Sequence, residues 1–190
     1  MSNQKTNQTL DVNDALAQSE AFVIKYKKQI IAAAVAVVVV VGGFIAYIYG
    51  YSKPREDKAQ ELLGVVMQKY VMQQDFEKAL KGEGKTMGLT KIAETYSSTD
   101  AGNLAAYEAG LCYYQLGKNA DAIKYLEKFS PKGDNTISAQ ALYALANCYA
   151  NAKQLDKSVD TFKKAAKATN VPALAAEYLF QAATILQSQN

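Results

Sequence analysis

The pattern of apolar and polar positions changes character twice along the chain. Residues 1–18 (MSNQKTNQTLDVNDALAQ) are polar and carry no apolar period. Ile30 to Tyr51 then reads IIAAAVAVVVVVGGFIAYIYGY without a charged residue, and beyond Ser52 apolar residues return at three- and four-residue intervals. These patterns predict a disordered polar tail over 1–20, an anchor helix over 21–51 and a helical region from 52 onward. At about 1.5 Å per residue, some 20 residues cover the roughly 30 Å hydrocarbon core, so the apolar run is long enough to cross a bilayer once. Lys25, Lys27 and Lys28 stand at one end, and Tyr47, Tyr49, Tyr51, Lys53 and Arg55 at the other, as interfacial anchors do. The run exceeds a signal-peptide core, 29 residues precede it and no small-x-small site precedes Ser52, which favours an uncleaved span. Within it Gly42, Ala46 and Gly50 recur every four residues, a candidate face for close approach of another membrane helix.

Past the span, Pro54 followed by Glu56 and Asp57 reads as a helix start. The apolar positions Leu62, Val66, Met67, Tyr70, Val71, Phe76 and Leu80 extend that helix from Arg55 to Lys81, where Gly82 and Gly84 end it. The stretch Ala79-Leu80-Lys81-Gly82-Glu83-Gly84-Lys85-Thr86 satisfies a relaxed phosphate-loop pattern. A phosphate loop follows a buried strand, however, and here an amphipathic helix precedes it; Glu83 would also put a carboxylate into the anion cradle. It reads as a glycine-rich turn between helices.

From Gly88 the chain repeats itself. Tyr107-Glu108-Ala109-Gly110-Leu111-Cys112-Tyr113 aligns with Tyr143-Ala144-Leu145-Ala146-Asn147-Cys148-Tyr149, and Asp121-Ala122-Ile123-Lys124-Tyr125-Leu126 with Lys157-Ser158-Val159-Asp160-Thr161-Phe162, at an offset of 36 residues. The unit resembles the tetratricopeptide repeat, two antiparallel helices with small residues where helices approach. Gly110 and Ala146 match its small first-helix residue, Tyr113 and Tyr149 its tyrosine, Ala122 and Ser158 its second-helix alanine, and Leu126 and Phe162 its large apolar residue. The family's tryptophan is replaced by Ala106 and Leu142, and its closing proline is missing. The resemblance implies an all-α fold, a transmembrane helix followed by an α-solenoid. Its repeats would span 102–135 and 136–171, with a partial third over 172–190. Residues 52–101 would form a degenerate leading repeat, in which Leu89 to Tyr96 pairs with the long helix. In the third repeat Ala183 is assigned the small position, and the chain is expected to continue past Asn190, since a terminal cap would show a more polar outer face.

Composition narrows the chemistry. The 139 residues from Ser52 carry 17 Lys and Arg against 15 Asp and Glu, a near balance without the basic footprint of a nucleic-acid binder. Histidine is absent and there are two cysteines, which removes zinc sites, histidine acid–base pairs and Cys-His dyads. No catalytic residue, metal ligand or cofactor is assigned. Cys112 and Cys148 occupy the same position of successive repeats on helices roughly 8–10 Å apart, too far to bridge, and are expected as buried free thiols.

By resemblance to peptide-binding members, the first helices line a groove. Its candidate residues are Leu104, Tyr107, Leu111, Tyr114 and Gln115, then Gln140, Tyr143, Asn147, Ala150 and Asn151, then Glu177, Phe180 and Thr184. The order of parts, with Lys81-Gly82-Glu83-Gly84 and Thr99-Asp100-Ala101-Gly102-Asn103-Leu104-Ala105, is similar to YfgM-type bacterial membrane proteins of the Bacteroidetes group. That resemblance implies an inner-membrane protein with a cytoplasmic N-terminus and periplasmic repeats. Its implied partners are Sec translocon channel subunits and the membrane chaperone PpiD, with secreted polypeptides as clients. Three basic residues flank each side of the span, so charge alone leaves orientation open. A cytoplasm-facing adaptor is the competing reading.

Overall fold

The computed structural model describes residues 12–131 and 135–189. Residues 1–11 of the expected tail, 132–134 of the inter-repeat loop and Asn190 lie outside the described residues. Apart from one small hairpin the described chain is helical, and it divides into two compact units, Met1–Tyr51 and Ser52–Asn190.

The first unit is one helix, α1 (Val12–Tyr47), running into a π-helical turn at Ile48–Ser52. It is long and apolar enough to cross a membrane once. Val38 and Val40 are each 70 % exposed, and the apolar side chains are open on all sides. The helix starts earlier than the polar composition predicts: residues 12–20, assigned to the tail, are helical. Extending a helix already nucleated by the apolar run needs no second nucleus, and Ala15, Leu16, Ala17 and Gln18 propagate it well.

The second unit opens with α2 (Lys53–Val66), which has Pro54 in its first turn, and a π-helical turn at Met67–Val71. The single helix expected from Arg55 to Lys81 is therefore interrupted. Gln74 takes a left-handed φ of 59°, and Asp75 caps a new helix, α3 (Phe76–Lys81), by accepting from the Lys78 amide. An N-cap aspartate offers the backbone a better partner than helix continuation, and the helical run breaks after Val71 without Gly or Pro. The expected glycine-rich turn is a hairpin in which β1 (Gly82–Glu83) pairs antiparallel with β2 (Thr86–Met87). Its backbone groups pair with each other, and Glu83 forms an ion pair with Lys78 at 3.2 Å. Gly82 sits at φ 77°, and a Cβ there would meet the Gly88 nitrogen at 2.6 Å.

Six helices follow in close succession: α4 (Leu89–Thr95), α5 (Asp100–Gln115), α6 (Asn119–Leu126), α7 (Asn135–Asn151), α8 (Leu155–Ala168) and α9 (Pro172–Ser188). Each packs chiefly on its sequence neighbours. The α5–α6 pair is antiparallel, since Asn103 at the start of α5 exchanges two 2.8 Å hydrogen bonds with the Ser130 backbone beyond α6. In the same way Gln189 after α9 donates to Asp156 at the start of α8.

Three apolar clusters run along the unit. Leu63, Val66, Leu80, Leu89 and Ile92 fill the first, Tyr107, Leu126, Leu145 and Tyr149 the second, and Val159, Phe162 and Tyr178 the third. Small residues set the approach distances. A Cβ on Gly110 would lie 2.5 Å from Leu126 Cγ and 3.2 Å from its backbone nitrogen. Ser158, fully buried, donates to the Ala146 carbonyl at 2.8 Å. Gly110, Ala146 and Ala182 are all buried and fall 36 residues apart, whereas Ala183 is exposed. The assignment of Ala183 to the small position is thus one residue out of register. The spacing of the first two units continues unbroken into α9, and the rotation of about 100° per residue carries Ala183 to the outer face.

Candidate functional site

Two side chains fix the geometry of the α2–α5 face. Glu56 accepts from the Asp100 amide at 2.6 Å and the Ala101 amide at 3.0 Å, while Thr99 accepts from the Gly102 amide at 3.0 Å. Donors at the α5 N-terminus that have no intrahelical partner are thereby satisfied, with a carboxylate at the positive end of the helix dipole. Arg55 donates to the Thr95 carbonyl at 2.7 Å, and its guanidinium lies 5.3 Å from the Tyr96 ring centre. The start of α2 is in this way pinned to the start of α5.

Below that clamp lies a groove of about 410 Å³, lined by Glu56, Gln60, Leu63, Gly64, Met67, Asp100, Ala101 and Leu104. Its apolar floor comes from Leu63, Met67 and Leu104, and Met67 begins the π-helical turn. One turn beyond Leu104 stands Glu108, half-buried; burial pushes its carboxyl above the usual carboxylate range. Among the described residues no cation or hydrogen-bond donor meets it. It lies between Leu104 and Leu111 in the i, i+4, i+7 row of α5.

The sequence-assigned groove residues divide into two kinds. Tyr107 is buried: its ring lies 5.4 Å from Phe129, its hydroxyl donates to Gln140 at 3.4 Å, and burial pushes its pKa up to about 12. Leu111 and Tyr114 are half-buried against the α7 side, and burial also raises the Tyr114 pKa. Tyr143 is wedged between Phe162 and Tyr178, with ring centres 5.7 and 4.9 Å away. Asn147 donates to the Tyr143 carbonyl at 2.9 Å, which occupies part of its hydrogen-bonding capacity. Tyr107, Leu111, Tyr114 and Tyr143 thus join helix to helix, whereas the Asn147 bond stays within α7. Phe180 is 68 % exposed, apart from them on α9, and by the 36-residue spacing it corresponds to Ala144 and Glu108 rather than to Tyr143. Leu179, 50 % exposed, takes the Tyr143 position.

Sequence reading missed Glu108, Leu63 and Met67. Glu108 was detectable as the one charged residue inside α5 after Asp100, set within an apolar row. In the other unit, Gly42 and Ala46 lie on α1 and Gly50 in the π-helical turn. All three are exposed, with open space around both glycines.

Cys112 and Cys148 are buried and unbridged; burial raises their thiols to about 12 and about 11. Among the described residues no cluster of acidic or cysteine side chains is arranged to hold a metal. No known family model and no curated protein matches this chain.

Proposed function

We propose that this chain is a membrane-anchored scaffold of the YfgM type, whose tetratricopeptide-like solenoid binds protein partners through its first-helix face. In this reading α1 crosses the bacterial inner membrane with the N-terminus in the cytoplasm, and the helical unit works in the periplasm. There it stands beside Sec channel subunits and a PpiD-like chaperone and assists secreted polypeptides. The observation that carries the reading is the recurrence of buried small residues Gly110, Ala146 and Ala182 every 36 residues, in a chain that also holds an exposed spanning-length apolar helix. Units that each leave an apolar face for the next are how solenoids are built, and solenoids serve extended binding surfaces.

The test is a mild-detergent pull-down through an N-terminal tag, with the co-purifying proteins identified by mass spectrometry. Recovery of Sec channel subunits with a PpiD-like chaperone is expected. Recovery of cytosolic proteins alone, together with repeats shielded from protease added to the periplasmic side, would replace the reading with a cytoplasm-facing adaptor.

A further inference from the structure

The near balance of charge in the second unit hides a sorting by position. The helices α5, α7 and α9 contain no basic residue. Asp121 stands in the first turn of α6, and Asp156 and Asp160 in the first half of α8. The later halves are basic: Lys124 and, just past the end of α6, Lys128, then Lys163, Lys164 and Lys167 on α8, all five exposed. The helix dipole accounts for Lys124 and Lys167, the two in a last turn, and not for the others. None of the five forms an ion pair among the described residues, whereas Lys58, Lys78, Lys81 and Lys118 each pair with an acid. Glu127 and Glu94, at the ends of α6 and α4, accept instead from the Tyr149 and Tyr125 hydroxyls.

Contacts within the unit bring these basic halves to one end. Asn119 at the start of α6 meets Asn151 at the end of α7, so α6 ends toward the α7 start. Ser158 near the start of α8 meets Ala146 near the end of α7. Lys164 and Lys167, about 9 and 14 Å further along α8, therefore also lie toward the α7 start. Ser130 beyond α6 is bonded to Asn103 near the start of α5, and the first amides of α5 to Glu56 near the start of α2. Ser52, where the unit begins, follows Tyr51 of the apolar run by one peptide bond. The lysines thus gather at the end of the unit where the chain enters from α1. Given α1 as a membrane anchor, the reading on which this rests, we infer that Lys124, Lys128, Lys163, Lys164 and Lys167 form a docking surface for anionic phospholipid headgroups of the same membrane. Among the described residues neither α6 nor α8 exposes a large apolar side chain, so what this end offers a partner is charge. A headgroup layer is the anionic surface that the anchor keeps beside it. Each lysine within a Debye length of about 8 Å strengthens adsorption to such a surface about fivefold.

The test places the full chain in nanodiscs of phosphatidylcholine alone, or of equal parts phosphatidylcholine and phosphatidylglycerol, and follows acetylation of each lysine by sulfo-NHS-acetate with mass spectrometry. Lys128, Lys163, Lys164 and Lys167 are expected to react at least threefold more slowly in the anionic discs. Lys118 and Lys153, at the opposite end of the unit, should react equally in both. High salt should abolish the difference. Replacing Lys163, Lys164 and Lys167 together by Gln, in protein with an unchanged melting curve, should return Lys128 to its neutral-disc rate. Equal rates in the two discs overturn the docking, as does a Lys128 rate that the triple variant leaves unmoved. Protection already complete in neutral discs, the mark of protein covering the lysines, overturns it too. Alkaline carbonate extraction of the chain from neutral vesicles reads the anchor separately. A retained chain with equal lysine rates refutes the docking alone; a chain that washes out yet is protected in anionic discs refutes the anchor alone.

Discussion

Gly110 offers the sharpest test of how the helices are spaced. Alanine in place of glycine within a helix is worth about 0.5–1 kcal/mol in its own right. At Gly64, exposed on α2 with nothing within 4 Å of a new Cβ, that gain should appear undiminished. At Gly110 the methyl would arrive 2.5 Å from Leu126 Cγ, 2.8 Å from Cδ2 and 3.2 Å from the Leu126 nitrogen. Leu126 is 3 % exposed and has nowhere to swing, so overpacking costs about 1–3 kcal/mol. Gly110→Ala should therefore lose about 1 kcal/mol net, lowering Tm by about 3 °C, while Gly64→Ala raises it by about the same. The assay is thermal unfolding of the full chain in dodecyl maltoside, followed by tyrosine near-UV circular dichroism. Leu126→Ala alone should cost about 2–5 kcal/mol, but in its background Gly110→Ala should turn neutral or stabilising, giving a coupling of about 1–3 kcal/mol. If Gly110→Ala raised Tm as Gly64→Ala does, the close approach of α5 to α6 would be wrong.

Three further outcomes rest on burial and charge. Both thiols should be inert to dithiodipyridine at pH 8 in the folded protein and titrate fully in guanidinium, because burial holds them at about 12 and about 11. Tyr70→Phe should be neutral or slightly stabilising in urea unfolding, since the Tyr70 hydroxyl is buried without a hydrogen-bond partner among the described residues; a loss above about 1 kcal/mol would reveal a partner. Lys118 first, then Lys81, lower the Glu77 pKa from 4.5 to about 2. A depressed carboxylate stabilises above its unfolded pKa and loses that contribution as pH falls from about 4.5 through about 2. Stability of Glu77→Gln should vary less with pH across that window, and salt should shrink the difference because the site is exposed.

Much of the fold was legible because its signals are redundant. The apolar span needs only length, and α5 to α8 announce themselves twice, by helical period and by the 36-residue recurrence. The break inside the expected 55–81 helix was hidden because Asp75 ends it through a side-chain hydrogen bond, in a stretch whose apolar spacing still suits a helix. The third unit slipped by one residue because Ala182 and Ala183 are adjacent small residues, and only burial separates them. The candidate site was harder to read. Tyr107 and Tyr143 look like binding residues in a sequence, but a large amphipathic ring serves equally well as a wedge between helices, and here that is where both stand. Glu108 was harder to read because a lone acid on a helix is usually solvated; its half-burial comes from tertiary packing, which no local pattern encodes.

The Arg55–Glu56 clamp has a mechanical consequence. A pull applied at Ser52 meets, within four residues, side chains that grip the end of α4 and the first amides of α5. Load is handed across to those backbones before it can peel α2 from Leu89 and Ile92. Three hydrogen bonds, two of them to one carboxylate, must fail together for the helix to unzip. Tension at this point thus distorts the α4–α5 junction, and with it the pitch between successive helices, before it costs the unit any of its core.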